Sequence, residues 1–348
     1  MPEAEPVRQL RSYNAAMARL GSWIEPNPEG IYVRPAGAWI DPSQPKARAL
    51  ITHGHGDHAR GGHGEVWATA ETLGIMGARY GEQNGRPVAY GETQRIDEVD
   101  ISFVPAGHVL GSAQIVLEHA GERVVVSGDY KRRPDPTCAP FVVTPCDIFI
   151  TEATFGLPVF RHPDTGSEID RLLHRLHAEP ERCVLVGAYA LGKAQRVIVE
   201  LRGRGHDEPI YIHGALERLC RLYEELGVPL GELRHATGVP KDELRGRIIL
   251  CPPGALNDRW SRRLPEPITA MASGWMRIRQ RARQRNVELP LVISDHADWD
   301  ELTQTIREVA PKEVWITHGR EEALKHWCQL HQIKARELNL VGYEDEDD

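Results

Sequence analysis

Short apolar runs separated by polar turns dominate the first third of the chain. Residues 31–34, 39–41, 49–52, 101–104, 113–118 and 123–127 each read as a β-strand bounded by Gly, Pro or polar clusters. From about Ser167 the period changes. Ile169, Leu172, Leu173 and Leu176 fall at helical spacing across residues 167–178, and Ser167 is placed as the N-cap. A strand at 183–186, a helix at 192–202, a strand at 209–212 and a helix at 215–226 follow, with further strands at 248–251 and 268–272. That alternation predicts a parallel sheet with helices on its faces. At Leu289 the earlier style returns with LPLVISDHADW, a helix and VWITHG, then a helix over 321–332 and a strand over 337–341. The pattern predicts an α/β protein in which residues 1–163 and 288–348 form one discontinuous domain and residues 164–287 an inserted β/α domain.

Composition narrows the class. Of 348 residues, 41% are hydrophobic and 26% charged, a globular balance that argues against a disordered or collagen-like chain. The longest uncharged apolar runs are far below the roughly 18 residues of a membrane helix. The first ten residues, MPEAEPVRQL, lack the apolar stretch of a signal peptide. Six cysteines without a C-x-x-C pair read as reduced thiols of a cytoplasmic protein and argue against cysteine-ligated zinc. The net charge of -8 argues on its face against a nucleic-acid binder. Five of those charges belong to the terminal run EDEDD, expected to be disordered.

The 16 histidines change that picture. His53, His55, Asp57 and His58 form an H-x-H-x-D-H cluster directly after an apolar strand, and these are the borderline ligands that Zn²⁺ or Mn²⁺ take. Alternation turns His53 and His55 the same way, and a turn lets Asp57 and His58 reach a second position. The same strand-to-ligand grammar repeats at Asp41, His108, Asp129, Glu152, His296 and His318. Each residue alone is an ordinary polar side chain. Together they describe strand ends converging on one edge, where open-sheet enzymes build sites. His63, His119, His162, His174, His177, His206, His235, His326 and His331 lie off that grammar and read as surface or helix histidines. His213, after a strand, stays open as an inter-domain contact.

The run Asp41, HGHGDH, His108 and Asp129 resembles motifs one to four of the metallo-β-lactamase fold, and Glu152, His296 and His318 resemble motifs A, B and C of its β-CASP nucleases. That group includes Artemis-like DNA nucleases, RNase J and the mRNA 3′-end endonuclease. VRPAGAWIDP, GHVLGSAQI, SGDYKRRPDPTCAPF, TEATFGLPVF, AYALGKAQR, MASGWM and SDHADW look closer still to the bacterial DNA ligase-associated exonucleases. The resemblance runs from about Trp23 to Leu340. It implies an αββα sandwich with an inserted β-CASP domain, and two divalent metals, Zn or Mn. His53, His55 and His108 would hold one, Asp57, His58 and His318 the other, and Asp129 would bridge them. Asp41 would orient ligand histidines. A metal-bridging hydroxide would attack a phosphodiester at a single-stranded or duplex DNA end, with His296 as general acid kept charged by Glu152. Functional association with a DNA ligase and a helicase is implied as well.

Substrate contacts are expected from the insert. Lys193 opens a helix after a strand, where phosphate is favoured, and Ser273 and Gly274 lie in a loop expected to face the cleft. Arg277, Arg279, Arg281, Arg283 and Arg285 would share one side of an extended chain and form a rail for a DNA backbone. Lys131, Arg132 and Arg133 could do similar work. A β-CASP ribonuclease is the alternative reading, since a His at motif C is common in the RNA-processing branch. A scaffold subunit would lack ligands, and a small-molecule hydrolase would lack the insert with Glu152 and His296.

Overall fold

The computed structural model describes residues 20–338 and residue 340. The expectations for the first residues and for the EDEDD tail fall outside the described residues. The chain first lays down β1 (Ile24–Asn27), β2 (Gly30–Val33), β3 (Ala38–Ile40), β4 (Arg48–Leu50), β5 (Glu65–Ala68) and β6 (Gly85–Pro87) as a six-stranded sheet in that order. Helix α1 (Ala70–Tyr80) falls between its last two strands. The second sheet follows with β7 (Thr93–Ile96), β8 (Val99–Pro105), β9 (Ala113–His119), β10 (Glu122–Val126) and β11 (Ile148–Ala153).

Period-2 patterning makes these two sheets face each other. Ile31, Val33, Ile40 and Leu50 from the first share a core with Ile101, Phe103, Ile115, Leu117, Val124 and Ile150 from the second. The outer face of the first sheet buries Ala49, Ile51, Val66 and Ala68 against Met76 of α1. The outer face of the second buries Val125, Phe149, Val314 and Ile316 against α6 (Trp299–Val309) and α7 (Glu321–Leu330). The layers therefore run helix, sheet, sheet, helix.

Between β11 and its parallel neighbour β18 (Glu313–Gly319) the chain builds a third sheet. Its strands are β12 (Val184–Gly187), β13 (Ile210–Ile212), β14 (Leu233–His235), β15 (Ile248–Cys251), β16 (Ile268–Ala272) and β17 (Leu289–Leu291), in the order β14-β13-β15-β12-β16-β17. All are parallel, so both faces need cover. On one face α2 (Thr165–Ala178), α3 (Lys193–Gly203) and α4 (Gly214–Glu225) bury Leu172, Val197 and Leu216. On the other lie Leu256, Leu264, Met276 and Ala282. The last strand, β19 (Lys334–Glu337), joins the second sheet beside β18.

Five expectations change, the first being the last strand, which occupies Lys334–Glu337 where the sequence suggests 337–341. Helix α1 stands where the sequence suggests only strands, because Gly74 and Gly77 weaken its periodicity; Thr69 caps it by accepting from the Thr72 amide. Strand β17 pairs with β16, so the segment beginning at Leu289 starts in the third sheet, which runs to Leu291, four residues beyond the division at 287/288. The cap of α2 is Asp164, which accepts from the Ser167 amide, while the Ser167 hydroxyl donates to the Asp164 carbonyl. The arginine run is not extended: Gly274–Arg277 is a 3-10 turn and α5 (Arg279–Gln284) an α-helix, so the five arginines do not share a side. No helix among the described residues is long and apolar enough to cross a membrane.

The cap correction has a measurable consequence. Asp164→Ala should lower stability by about 1 kcal/mol in a urea melt. Ser167→Ala should stay within about 0.5 kcal/mol of the parent. The reverse ranking would restore Ser167 as the cap.

Candidate metal centre

The polar residues picked out by the strand-end grammar meet at one place. Asp129, just past β10, is 3% exposed. Around it stand His318 Nε2 at 3.2 Å, His53 Nε2 at 3.4 Å, His58 Nε2 at 3.5 Å, His108 Nε2 at 3.7 Å and His296 Nδ1 at 4.0 Å. Three groups with metal-ligand spacing share Asp129 among the described residues: one with His53, His55 and His108, one with His58 and His318, and one with Glu152 and His296. Asp57 is the most exposed of the expected ligands at 20%, and its carboxylate lies 3.6 Å from His58 Nε2.

What each imidazole does with its outer nitrogen decides what the inner one offers. The Thr52 hydroxyl donates its single proton to Asp41 Oδ2 at 2.6 Å, so at 3.0 Å from His53 Nδ1 it must accept. His53 therefore carries its proton on Nδ1 and turns the Nε2 lone pair toward Asp129. The same device recurs at His318. Thr317 donates to the Thr151 carbonyl and accepts from His318 Nδ1 at 2.8 Å. His108 Nδ1 donates to the Asp295 carbonyl at 2.9 Å, and His58 Nδ1 to Asp41 Oδ2 at 2.8 Å. Lone pairs aimed at a buried carboxylate repel unless a cation lies between them, and oxygen partners on the outer nitrogens are how metal-binding imidazoles are held.

The charges agree. Burial drives the His53 imidazole well below its ordinary range, with neighbouring His58 adding to the effect, so it stays neutral and able to ligate. Burial also opposes charge on His58, but Asp129, Asp57 and Asp41 outweigh it and hold that ring up to about 10. Burial would raise Asp129, yet His58 and His296 hold it well below the usual carboxylate range.

Tight turns place these groups. Asp41 adopts φ 44° while accepting from the Thr52 amide, its hydroxyl and His58. Gly128 has φ +55°, and a Cβ there would lie 2.7 Å from Thr52 Cβ. Beyond Thr151 the β11/β18 ladder shifts register, so Ala153 faces Gly319. This bulge sits beside Glu152 and His318 and re-aims both. Glu152, fully buried, reaches His296 Nδ1 at 3.0 and 3.2 Å and also accepts from the Tyr130 amide.

The expected substrate residues divide. Lys193, Ser273 and Gly274 line a narrow cavity with Asp57, Asp129, His296 and His318. Lys193 is buried there, with Nζ 2.9 Å from Asp295, and its charge is already matched. Arg281 lies over the Trp275 ring at 3.9 Å, and Arg277 and Arg279 are exposed beside it. The basic triplet after Asp129 is structural. Buried Lys131 donates to the Ser294 carbonyl, Arg132 pairs with Glu308, and Arg133 pairs with Asp298 and Glu301. Burial and the nearby Arg196 bring the Lys131 amine down to about 7. Two histidines read as surface residues are not. His63 is 8% exposed and accepts from the Lys46 amide, and the His162 ring packs on Phe155. His213 caps α4.

Thr52, Thr317 and Asp295 belong to the site although sequence reasoning passed over them. The signal was present: Ile-Thr-His-Gly occurs at 51–54 and again at 316–319.

No family model matches the chain. It is similar to a probable DNA ligase of Opitutus terrae, 31% identical over 318 residues that cover 86% of this chain and 30% of that protein. It is 29% identical over 224 residues to a ribonuclease of Thermus thermophilus, covering 54% and 51% of the two chains. It is 24% identical over 307 residues to cleavage and polyadenylation specificity factor subunit 3 of Dictyostelium discoideum, covering 73% and 39%. The chain spans about a third to a half of the length of these relatives. A crystal structure of an Enterococcus faecalis protein of unknown function superposes with a TM-score of 0.55 at 12% identity, over 85% of this chain and 79% of that one, and shows a shared fold.

Gly128 tests how the centre is held. Gly128→Ala should displace Thr52 and weaken Mn²⁺ or Zn²⁺ binding at least about tenfold by calorimetry. Gly121→Ala, also at positive φ but with nothing within 4 Å of the new Cβ, should leave metal affinity unchanged. Equal losses would show that backbone strain, not Thr52, sets the affinity.

Proposed function

The chain belongs to the β-CASP nucleases of the metallo-β-lactamase fold, and from that premise we propose that it is a metal-dependent exonuclease acting on DNA ends in repair. The observation that carries this reading is the set of imidazole lone pairs turned onto buried Asp129. His53, His55 and His108 would hold one divalent cation, and Asp57, His58 and His318 a second, with Asp129 shared. Zn²⁺ and Mn²⁺ both suit such a donor set. Bound there, the two cations would neutralise phosphate charge and bring a water's pKa from 15.7 to near 7.

The chain's own groups supply the rest. His296 reaches the narrow cavity, where it can protonate the leaving O3′. Glu152 accepts from His296 Nδ1, which fixes the ring and favours its charged form. Lys193, Ser273 and Gly274 bound the same cavity and would set the phosphate's position. The products would be 5′-phosphate and 3′-hydroxyl ends. The segment between β11 and β18 would act as the β-CASP domain, closing the cleft over the metal centre. The 86% coverage by the match to a probable DNA ligase favours DNA and an association with ligation; the ribonuclease match keeps RNA as the second reading.

Metal-stripped protein reloaded with Mn²⁺ or Zn²⁺ should degrade end-labelled single-stranded or duplex DNA in preference to RNA of the same sequence. Preferential cutting of RNA would replace the DNA reading. In parallel, His296→Ala should lose cleavage by about 10²-fold or more yet keep its metal in elemental analysis. His58→Ala should lose metal. Metal loss in both variants would make His296 a ligand instead of the acid.

A further inference from the structure

A single interior arginine reaches both places where the chain passes between the paired sheets and the third sheet. Arg196, on α3, is 1% exposed. Its Nη2 donates to the Thr165 hydroxyl at 2.6 Å, at the first residue of α2, where the chain enters the interposed segment. Its Nη1 donates to the Ser294 carbonyl, just past β17, where the chain leaves that segment. Its Nε lies 3.3 Å from Asp135 Oδ2, in the loop that follows Asp129. Asp135 is held in turn, because its other oxygen accepts from the Thr137 amide and hydroxyl. A guanidinium carries five N–H donors in one plane, so it can hold several segments at fixed angles at once, which an ammonium cannot.

What Arg196 grips is the turn that carries His296. The Ser294 hydroxyl donates to the His296 carbonyl and accepts from the His296 amide, both at 3.1 Å, and so closes the turn. The Ser294 carbonyl takes a second charged donor, Lys131 Nζ. The Asp295 carboxylate lies 3.4 Å from Arg196 Nη1 and 2.9 Å from Lys193 Nζ. Just beyond, the Ala297 amide donates to the Tyr130 carbonyl, while the Tyr130 amide donates to Glu152. The turn and the carboxylate that faces the His296 ring are thereby set against one another. Charge-assisted hydrogen bonds in a dry interior are the strong kind, so the turn has little freedom while Arg196 is in place.

Arg196 is absent from the walls of the narrow cavity, which Lys193, Ser273, Gly274 and His296 line. Any effect it has on a reaction there must pass through the turn. Most of the imidazoles around Asp129 do not depend on that turn. His53, His58 and His318 are oriented by Thr52, Asp41 and Thr317. His108 does lean on it, through the Asp295 carbonyl.

We propose that Arg196 is a positioning residue for proton transfer to the leaving oxygen. By gripping the Ser294 carbonyl and the Asp295 carboxylate it sets where the His296 ring stands, and it contacts no part of the substrate. The assignment rests on the reading of His296 as the acid of a phosphodiesterase. In that step the bond from phosphorus to O3′ breaks as an oxygen from water bonds to phosphorus. The proton on His296 Nε2 passes to the departing O3′, and the Nδ1 proton stays on its bond to Glu152. A displacement of about 1 Å at the ring is enough to cost such a transfer roughly 100-fold.

The test compares two phosphodiesters on the manganese-loaded full chain. One is a DNA strand, whose O3′ must be protonated as it leaves. The other is the p-nitrophenyl ester of thymidine 5′-phosphate, whose nitrophenoxide leaves without a proton. The ratio of DNA to nitrophenyl ester cleavage should fall about 10- to 100-fold in Arg196→Met, as it should in His296→Ala. In the His296→Ala background, Arg196→Met should lower DNA cleavage no further, because residues that act through one group do not add. Arg196→Lys keeps the charge that Asp135 and Asp295 need, and it carries the same comparison should the methionine variant fail to fold. Its ratio should fall by less, about 3- to 10-fold. Manganese content by elemental analysis should match the wild type in both Arg196 variants. Equal slowing of the two substrates, a further loss in the His296→Ala background, or loss of manganese would overturn the assignment. With both esters cleaved by the wild type, any of these results sinks the assignment alone. No cleavage of either ester by the wild type would sink the phosphodiesterase reading and the assignment with it.

Discussion

A carboxylate almost wholly withdrawn from solvent is the group around which this protein is arranged. Asp129 lies 3.2 to 4.0 Å from five imidazoles drawn from four different segments of the chain. Burying such a charge costs several kcal/mol unless it is paired. The pairing requires the carboxyl ends of the strands that carry these groups to finish at one edge. The two facing sheets do this because their inner faces alternate strictly and leave no freedom of register. The backbone is irregular at that edge: Asp41 at φ 44°, Gly128 at φ +55°, and the bulge opposite Gly319. Strain there aims side chains, and regular ladders behind it absorb the cost.

The third sheet is tied to that edge by a second buried charge. Asp295, 1% exposed, sits between Lys193 at 2.9 Å and Arg196 at 3.4 Å, both from α3. Burial would raise Asp295, but these two cations bring it down to about 2. Its own carbonyl takes the His108 Nδ1 proton, and His296 is the next residue. Arg196 also reaches Asp135 and the Ser294 carbonyl. Removing one member of such a buried set leaves an unmatched charge, at a cost of about 3–5 kcal/mol. One helix of the interposed segment thereby helps fix both a ligand candidate and the acid candidate on the sandwich.

The strand-to-ligand grammar was legible because each relevant residue follows its own apolar strand, a purely local signal. The parallel sheet was legible from period alone. What escaped was non-local or locally ambiguous. Helix α1 carries two glycines and a weak stripe, and it exists because the outer face of the first sheet needs cover for Ala49 and Val66. LPL reads identically in either sheet, and only its partner, Ala270–Ala272, decides. The arginine run alternates perfectly for a strand. Ser273 instead accepts from the Trp275 amide and starts a turn, with Trp275 buried beside Phe155 and Phe160. Thr52 and Thr317 look like ordinary β-branched strand residues. Their role appears only once the acceptors of their single hydroxyl protons are known.

The net charge of -8 is compatible with a polyanionic substrate once the placement of the charges is considered. Many surface arginines are matched close by: Arg95 with Asp100, Arg123 with Glu118, Arg161 with Asp300, Arg204 with Asp170, Arg221 with Glu217. Such pairs leave little field beyond a Debye length of about 8 Å. A strand approaching most of this surface meets neutral or acidic ground. Field of the right sign would gather where divalent cations sit against Asp129. Clefts concentrate such fields, so acidity elsewhere sharpens the preference for the cleft. On the exonuclease reading, an acidic body with a positive cleft at the metal centre would take an end that can enter it and bind the rest of the strand weakly.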